Sequence, residues 1–388
     1  MKRPIYLDYQ ATTPMDERVF AAMKPFFLDH FGNPSSPHLY GWEALAAINQ
    51  AREKIAASIH ASPDEIIFTS GATEANNLAI KGAAEAYFSQ GRHLITVQTE
   101  HRAVLDPCRY LESLGFEVTY LTVQADGLLD LGQLEAAIRP DTILVSVMAA
   151  NNEIGVLQPL AEIGAICHRQ QVLFHSDAAQ AIAKIPLNVE TMQIDLMSLT
   201  AHKIYGPKGI GALYRRKRNP KVQLAAQIQG GGQEDGLRSG TLPTPLIIGL
   251  AEAISLGLAE LLTENSRQQV LRDRLWQGLQ SLDGVILNGH PNQRLAGNLN
   301  ISIEGVKGTS LLLALQPHIA LASGSACSSQ NNLPSPVLKA LGRSDALAQD
   351  SLRLGLGRFT TAPEIDQAIA IILETVKSLR SGKSYKLF

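Results

Sequence analysis

Lys203 occupies an unusual setting for an amine. It lies in Ser198-Leu-Thr-Ala-His-Lys-Ile-Tyr-Gly-Pro-Lys-Gly209, where the apolar run Asp195-Leu-Met-Ser-Leu199 reads as a short buried strand and Gly206, Pro207 and Gly209 build the turn beyond it. A lysine at a strand end is held on a rigid element. If it is desolvated or close to other cations, its pKa falls and the neutral amine attacks carbonyl carbons, as in Schiff-base enzymes. Taken alone, Lys203 and Lys208 also read as ordinary loop lysines, so the rest of the chain must decide.

Other polar groups fall at comparable places. Ile66-Ile-Phe-Thr69 leads into Ser70-Gly-Ala-Thr-Glu-Ala75, where backbone N–H groups at a helix start and the Thr73 hydroxyl form an anion cradle suited to phosphate. No GxxxxGK[ST] run accompanies it, and a simple Ser/Thr N-cap explains the segment equally well. His101 follows His93–Val97, Asn151-Asn-Glu-Ile-Gly155 follows Thr142–Val147, and Asp177-Ala-Ala-Gln180 follows Val172–Ser176. In parallel sheets, ligands bind at the carboxyl ends of strands. A phosphate cradle, an imidazole, a carboxylate and a lysine at such ends match the needs of pyridoxal phosphate.

The elements that must hold these groups alternate. Strand-like runs at Ile66–Thr69, His93–Val97, Glu117–Leu121, Thr142–Val147 and Val172–Ser176 are separated by helical patterns, including Leu131–Ile138 and Leu160–Gln170. Near-continuous apolar strands between helices imply an α/β fold with a mostly parallel sheet covered on both faces. After Gly240 the pattern changes to a long connecting helical segment, apolar from Pro243 to about Leu262 and continuing as a more charged helix over Asn265–Leu282. Short strands at Gly284–Leu287, Gly297–Ile303 and Ser351–Leu356 and helices at Ser310–Leu315, Pro336–Leu341 and Ala362–Leu379 then suggest a smaller α+β domain. The expected division is residues 16–260 for the large domain and 261–388 for the small one, with residues 1–15 associated with the latter.

At 388 residues and a formal net charge of −2, the chain has room for two domains and lacks the basic surplus of a nucleic-acid binder. Arg215-Arg-Lys-Arg218 is its one basic cluster and reads as a solvated turn. No signal-peptide pattern and no apolar run of membrane-spanning length is present, so a cytoplasmic protein is expected. Cys108, Cys167 and Cys327 are far apart, which argues against a disulfide framework or a zinc site. Cys108 and Cys167 fall in helical patterns and read as packing thiols. Cys327 instead sits among small and polar residues, Ala322-Ser-Gly-Ser-Ala-Cys-Ser-Ser-Gln-Asn-Asn-Leu-Pro334, as in an exposed loop.

The chain resembles the cysteine desulfurases of the NifS/IscS type, within the class V aminotransferase family of fold type I. The resemblance runs through Tyr6-Leu-Asp-Tyr-Gln-Ala-Thr-Thr-Pro14, Phe31-Gly-Asn-Pro-Ser-Ser36, Thr69-Ser-Gly-Ala-Thr-Glu74, Thr99-Glu-His101, Asn151-Asn-Glu-Ile-Gly155, Ala201-His-Lys-Ile-Tyr-Gly-Pro-Lys-Gly209, Gly230-Gly-Gly-Gln-Glu234, Arg238-Ser-Gly-Thr241 and Ser323-Gly-Ser-Ala-Cys327. It implies a seven-stranded sheet in the large domain and pyridoxal 5'-phosphate on Lys203. Asp177 would then pair with the pyridine nitrogen, His101 stack on the ring and shuttle protons, and Asn152 and Gln180 meet the phenolic side. Ala72, Thr73, Thr200 and His202 would hold the phosphate, with Thr241 reaching it from the other subunit of a homodimer. Asn33 and Arg353 would clamp the substrate carboxylate. Gln10 and Thr200 depart from the family's commoner Ser or Asn and Ser, and both changes keep polarity. The implied reaction converts L-cysteine to L-alanine through a Cys327 persulfide. A cysteine or cystine C–S lyase or a selenocysteine lyase is the alternative. The resemblance leaves the sulfur acceptor open between an iron–sulfur scaffold, tRNA thiolation and another carrier, since the end Arg380–Phe388 is shorter than the tail by which the IscS type engages its scaffold.

Overall fold

The structure, a computed structural model, describes residues 3–323 and 333–381; Cys327 and residues 382–388 lie outside the described residues. After a short strand, β1 (Ile5–Tyr6), come the helices Glu17–Met23 and Leu39–Ser58. The central sheet then accumulates β2 (Ile66–Thr69), β3 (His93–Val97), β4 (Glu117–Leu121), β5 (Thr142–Ser146), β6 (Leu173–Asp177), β7 (Leu196–Thr200) and β8 (Gly211–Arg215). Its seven strands lie in the order β2-β8-β7-β6-β5-β3-β4. Only β8 runs antiparallel to its neighbours, so the expected mostly parallel α/β sheet is present.

Successive residues explain why these strands read as unbroken apolar runs. Phe68, Ile95, Val145, Phe174 and Met197 pack into one core, while their neighbours Ile67, Leu94, Leu144, Leu173 and Leu196 pack into another. Side chains alternate across a strand, and helices cover both faces. The edge strand β4 has only Leu121 buried, as expected where one side of the sheet lacks a neighbour.

The second sheet comprises β9 (Val285–Leu287), β10 (Asn298–Ile303), β12 (Ala322–Ser323) and β13 (Ser351–Gly355), ordered β12-β13-β10-β9 and antiparallel throughout. Its own core gathers Leu275, Leu299, Ile301, Leu354 and Ile372, and Leu7 joins it from the N-terminus. The N-terminal segment also pairs β1 in parallel with β11 (Ile319–Ala320). From there it crosses to the larger sheet, where the Thr13 hydroxyl donates to the His202 carbonyl at 3.0 Å and accepts the Tyr205 N–H at 2.7 Å.

Three features differ from the sequence reading. The helices Glu17–Met23 and Leu39–Ser58 have no counterpart in it. The connecting segment is two helices, Thr244–Ala259 and Leu261–Leu279, bent by 72°. Glu260 at the bend binds Arg18 at 2.6 Å and Arg358 at 3.0 Å. Arg215 and Arg216 are buried rather than solvated. Arg216 grips the Glu190 carboxylate at 2.9 Å and donates to the Val189 carbonyl at 2.8 Å, so hydrogen bonds compensate its lost hydration. Among the described residues no single helix is long and apolar enough to cross a membrane.

Candidate active site

The carboxyl ends of β2, β3, β5, β6 and β7 open on one cavity of about 540 Å3. Ala72, Thr73, His101, Asn152, Asp177, Gln180, Thr200, His202, Lys203 and Arg353 all line it. Asn33 and Thr241 do not; both lie on exposed segments of this chain. Gln10, Thr12 and Lys208 also line the cavity, and composition alone gives no signal for them beyond their place in the quoted motifs.

One end of the cavity is built to receive an anion. The helix Ala72–Ala86 starts at Gly71, whose φ of 153° favours glycine and which provides no side-chain cap, so the first N–H groups of the helix remain available. Gly211 of β8 passes beneath, and a Cβ there would come within 2.4 Å of the Leu199 carbonyl oxygen and 2.7 Å of Gly71 Cα. Thr73, Thr200, His202 and Lys208 surround this helix start. His202 is itself kept neutral at ordinary pH: burial, then the charges of Lys203, Lys208 and Lys184, push it down to about 4. Its Nδ1 lies 3.1 Å from the Thr12 hydroxyl.

The same cavity carries a carboxylate. Asp177, at the last position of β6, accepts the Ala179 N–H on Oδ1 at 2.9 Å and the Asn76 side-chain amide on Oδ2 at 2.7 Å. Both donors fix the direction of its carboxylate. His101 caps the helix Arg102–Ser113, its Nδ1 accepting the Ala103 N–H at 3.0 Å, which leaves the ring proton on Nε2. Burial lowers its pKa, with Asp177 opposing and Lys203 reinforcing the shift.

Arg353, on β13, reaches the same cavity from the second sheet while only 2% exposed. One terminal nitrogen donates to Asp8 Oδ1 at 2.8 Å and the other to the Asn152 carbonyl at 3.1 Å. Its Nε is buried without a partner among the described residues. A buried guanidinium with a donor to spare is a site for a carboxylate. The sequence alone assigns no role to Asp8, although the residue sits inside Tyr6-Leu-Asp-Tyr-Gln-Ala-Thr-Thr-Pro14.

Behind the site, His175 spans β5, β6 and β7: Nδ1 lies 2.8 Å from the Ser146 hydroxyl and Nε2 3.0 Å from that of Ser198. Burial pushes its pKa down to about 4 against a weaker opposing effect of Asp177. A depressed histidine contributes stability that is present above its unfolded value near 6.5 and is lost as the pH falls towards 4, at most about 3 kcal/mol. Glu153 and Asp195, raised by burial to about 7 and about 6, act in the opposite sense, so a difference measurement is needed. We expect the unfolding free energy of His175→Gln to fall less steeply than that of the native protein between pH 6.5 and 4; equal slopes would remove His175 from the account. Among the described residues no group of three His, Cys, Asp or Glu side chains is placed to hold a metal ion.

Comparison with known proteins gives concordant results. The model of the aminotransferase class-V family matches residues 5–368. The chain is 57% identical over 383 residues to the cysteine desulfurase IscS of Tolumonas auensis, covering 98% of this chain and 94% of that one. It is 55% identical to the human cysteine desulfurase, covering 97% and 83% respectively. Among solved structures, a NifS-like protein aligns with a TM-score of 0.91 at 37% identity, covering 97% of this chain and all of that one. SspA in complex with cysteine aligns with a TM-score of 0.82 at 41% identity, covering 92% and 100%.

Proposed function

Because the chain belongs to the class-V aminotransferase family, we propose that it is a pyridoxal-phosphate-dependent cysteine desulfurase, converting L-cysteine to L-alanine and taking the sulfur onto Cys327. The observation that carries this reading is the meeting of Lys203, Asp177 and His101 from one sheet with Arg353 from the other around a single cavity.

The residues fit the cofactor. Lys203 would hold it through its amine, the uncapped helix start at Gly71 with Thr73, Thr200 and His202 would receive its phosphate, and Asp177 would pair with its pyridine nitrogen. When bound, pyridoxal phosphate supplies an electron sink for the bond electrons of the substrate Cα. Arg353 holds the substrate carboxylate, presented by Asp8 and the Asn152 carbonyl. Lys203 and the Nε2–H side of His101 then move protons at Cα and Cβ. The Cys327 thiolate attacks the substrate Sγ; the Cβ–Sγ bond breaks with its electron pair staying on Cβ. Cys327 becomes a persulfide, and protonation of Cβ gives alanine.

A homodimer supplies what one chain lacks. Phe27, Phe31, Tyr40 and Trp42 are each more than half exposed, and Phe31 stacks on Tyr40 at 5.5 Å. So large an aromatic surface on the N-terminal helices is suited to burial against a second copy. Asn33 lies in that segment, and Thr241 would reach the partner's phosphate site. We divide the chain into residues 16–260, a cofactor-binding domain, and residues 261–388, a smaller domain that includes Cys327; the N-terminal segment touches both, through β1 with β11 and Thr13 with His202. We place the enzyme in the cytoplasm, delivering sulfur to an acceptor protein such as an iron–sulfur scaffold. Incubation with L-cysteine should yield alanine and a persulfide trapped on Cys327 by mass spectrometry. Pyruvate in place of alanine would make it a lyase and overturn the reading.

A further inference from the structure

Lys184 is an amine that the desulfuration chemistry leaves unused. The residue as a whole is partly exposed, but its Nζ is enclosed and donates to Gln180 Oε1 at 3.2 Å. Gln180 Nε2 donates in turn to the Gln10 carbonyl at 2.9 Å. An amide nitrogen has two N–H groups, so the contact with Gln10 leaves one for the cofactor cavity that Gln180 lines. A flipped Gln180 would lose both contacts. Behind it, Lys184 and Lys203 line one small cavity of about 50 Å3.

Among the described residues no acidic group around this cavity pairs with Lys184. Glu264 spends its carboxylate on Arg267, at 2.9 and 3.0 Å, and on Gln268 at 3.2 Å. Arg358 binds Asp16 and Glu260, and Tyr9 and Tyr205 are both raised by burial and stay neutral. His202, on the phosphate side, is likewise neutral. Burial, followed by the charge of Lys203, lowers Lys184 to about 7.

We propose that Lys184 is a positioning residue, which fixes the Gln180 amide so that a donor meets the phenolic oxygen of the cofactor and sets a second amine behind Lys203. Both effects act in one direction. A donor stabilises the phenolate, and below about pH 7, where Lys184 still carries its proton, its charge disfavours a proton on the Lys203-bound nitrogen. The lysine-bound cofactor therefore deprotonates at a lower pH than it would without Lys184.

The proposal rests on the cofactor assignment to Lys203, and one titration separates the two. The visible absorbance of the holoenzyme, followed against pH without substrate, gives the deprotonation midpoint. In Lys184→Met that midpoint should rise by about one pH unit, a tenfold gain in proton affinity. Lys184→Arg, which restores a cationic donor into a region with adjoining free space, should return towards the native midpoint, and Lys184→Gln, a neutral donor, should fall between. A native midpoint in either neutral variant, with cofactor bound and thermal unfolding cooperative, overturns the proposal. A native protein that takes up no pyridoxal phosphate overturns the proposed function instead.

Discussion

Replacing Cys327 with Ala should abolish alanine formation from L-cysteine, by more than about a thousandfold, while leaving the visible absorbance of the bound cofactor unchanged. The magnitude follows from the lack of any substitute among the other thiols. Cys108 and Cys167 are both 1% exposed. Burial, reinforced by nearby carboxylates, pushes each to about 12, so that roughly one molecule in a hundred thousand carries the thiolate at pH 7. Neither lies on the cavity wall. On the proposed reading, cofactor binding draws on residues of the large sheet and the helix at Gly71, none of which is changed by the substitution. The assay is alanine release beside an absorbance spectrum of the same sample. Desulfuration at the native rate would mean that the nucleophile is elsewhere.

The second large effect concerns Lys203. Lys203→Ala should lose the covalent cofactor link, read as the absence of a borohydride-stable adduct by mass spectrometry, together with activity reduced on the order of ten thousandfold or more. Two other lysines are close enough to be tested as replacements. Lys208 lines the cavity at its phosphate end beside Gly209, where it faces the anion cradle. Lys184 lies behind Gln180 and is committed to its amide. Neither follows the end of β7 as closely as Lys203 does, beside the β6 strand that ends in Asp177. An adduct that persists in Lys203→Ala and maps to Lys208 would transfer the role to that residue and refute the assignment of Lys203.

The parts of this molecule legible in the sequence are those whose causes are local. Strands β3 to β7 announce themselves because residues such as Leu94 and Ile95 are apolar on both faces, and the polar groups that follow each strand stand out against that background. The helix Leu39–Ser58 is hard to read for a related reason. It buries Ala44, Ile48, Ala51 and Ile55 on one side yet exposes Leu39, Tyr40, Trp42 and Leu45, which blurs the usual alternation of apolar and polar faces. Arg216 reads as solvated because its compensation comes from Glu190 and the Val189 and Ile194 carbonyls, more than twenty residues earlier in the chain. Long-range partnerships of this kind also hide Asp8 behind Arg353 and Lys184 behind Gln180. Asn33 and Thr241, read from the resemblance as site residues, are absent from the lining of this chain's cavity.

The ion pair between Asp8 and Arg353 joins residues 345 positions apart. Residues 70 to 210, which form the floor and the anion cradle, can fold around strands that neighbour one another in the chain. Arg353 arrives on β13, the last strand among the described residues. During synthesis the growing polypeptide thus holds a lysine and an anion cradle long before it holds a grip for the substrate carboxylate. On the proposed reading, the order in which the ribosome releases these parts would complete the cofactor's contacts before the substrate's.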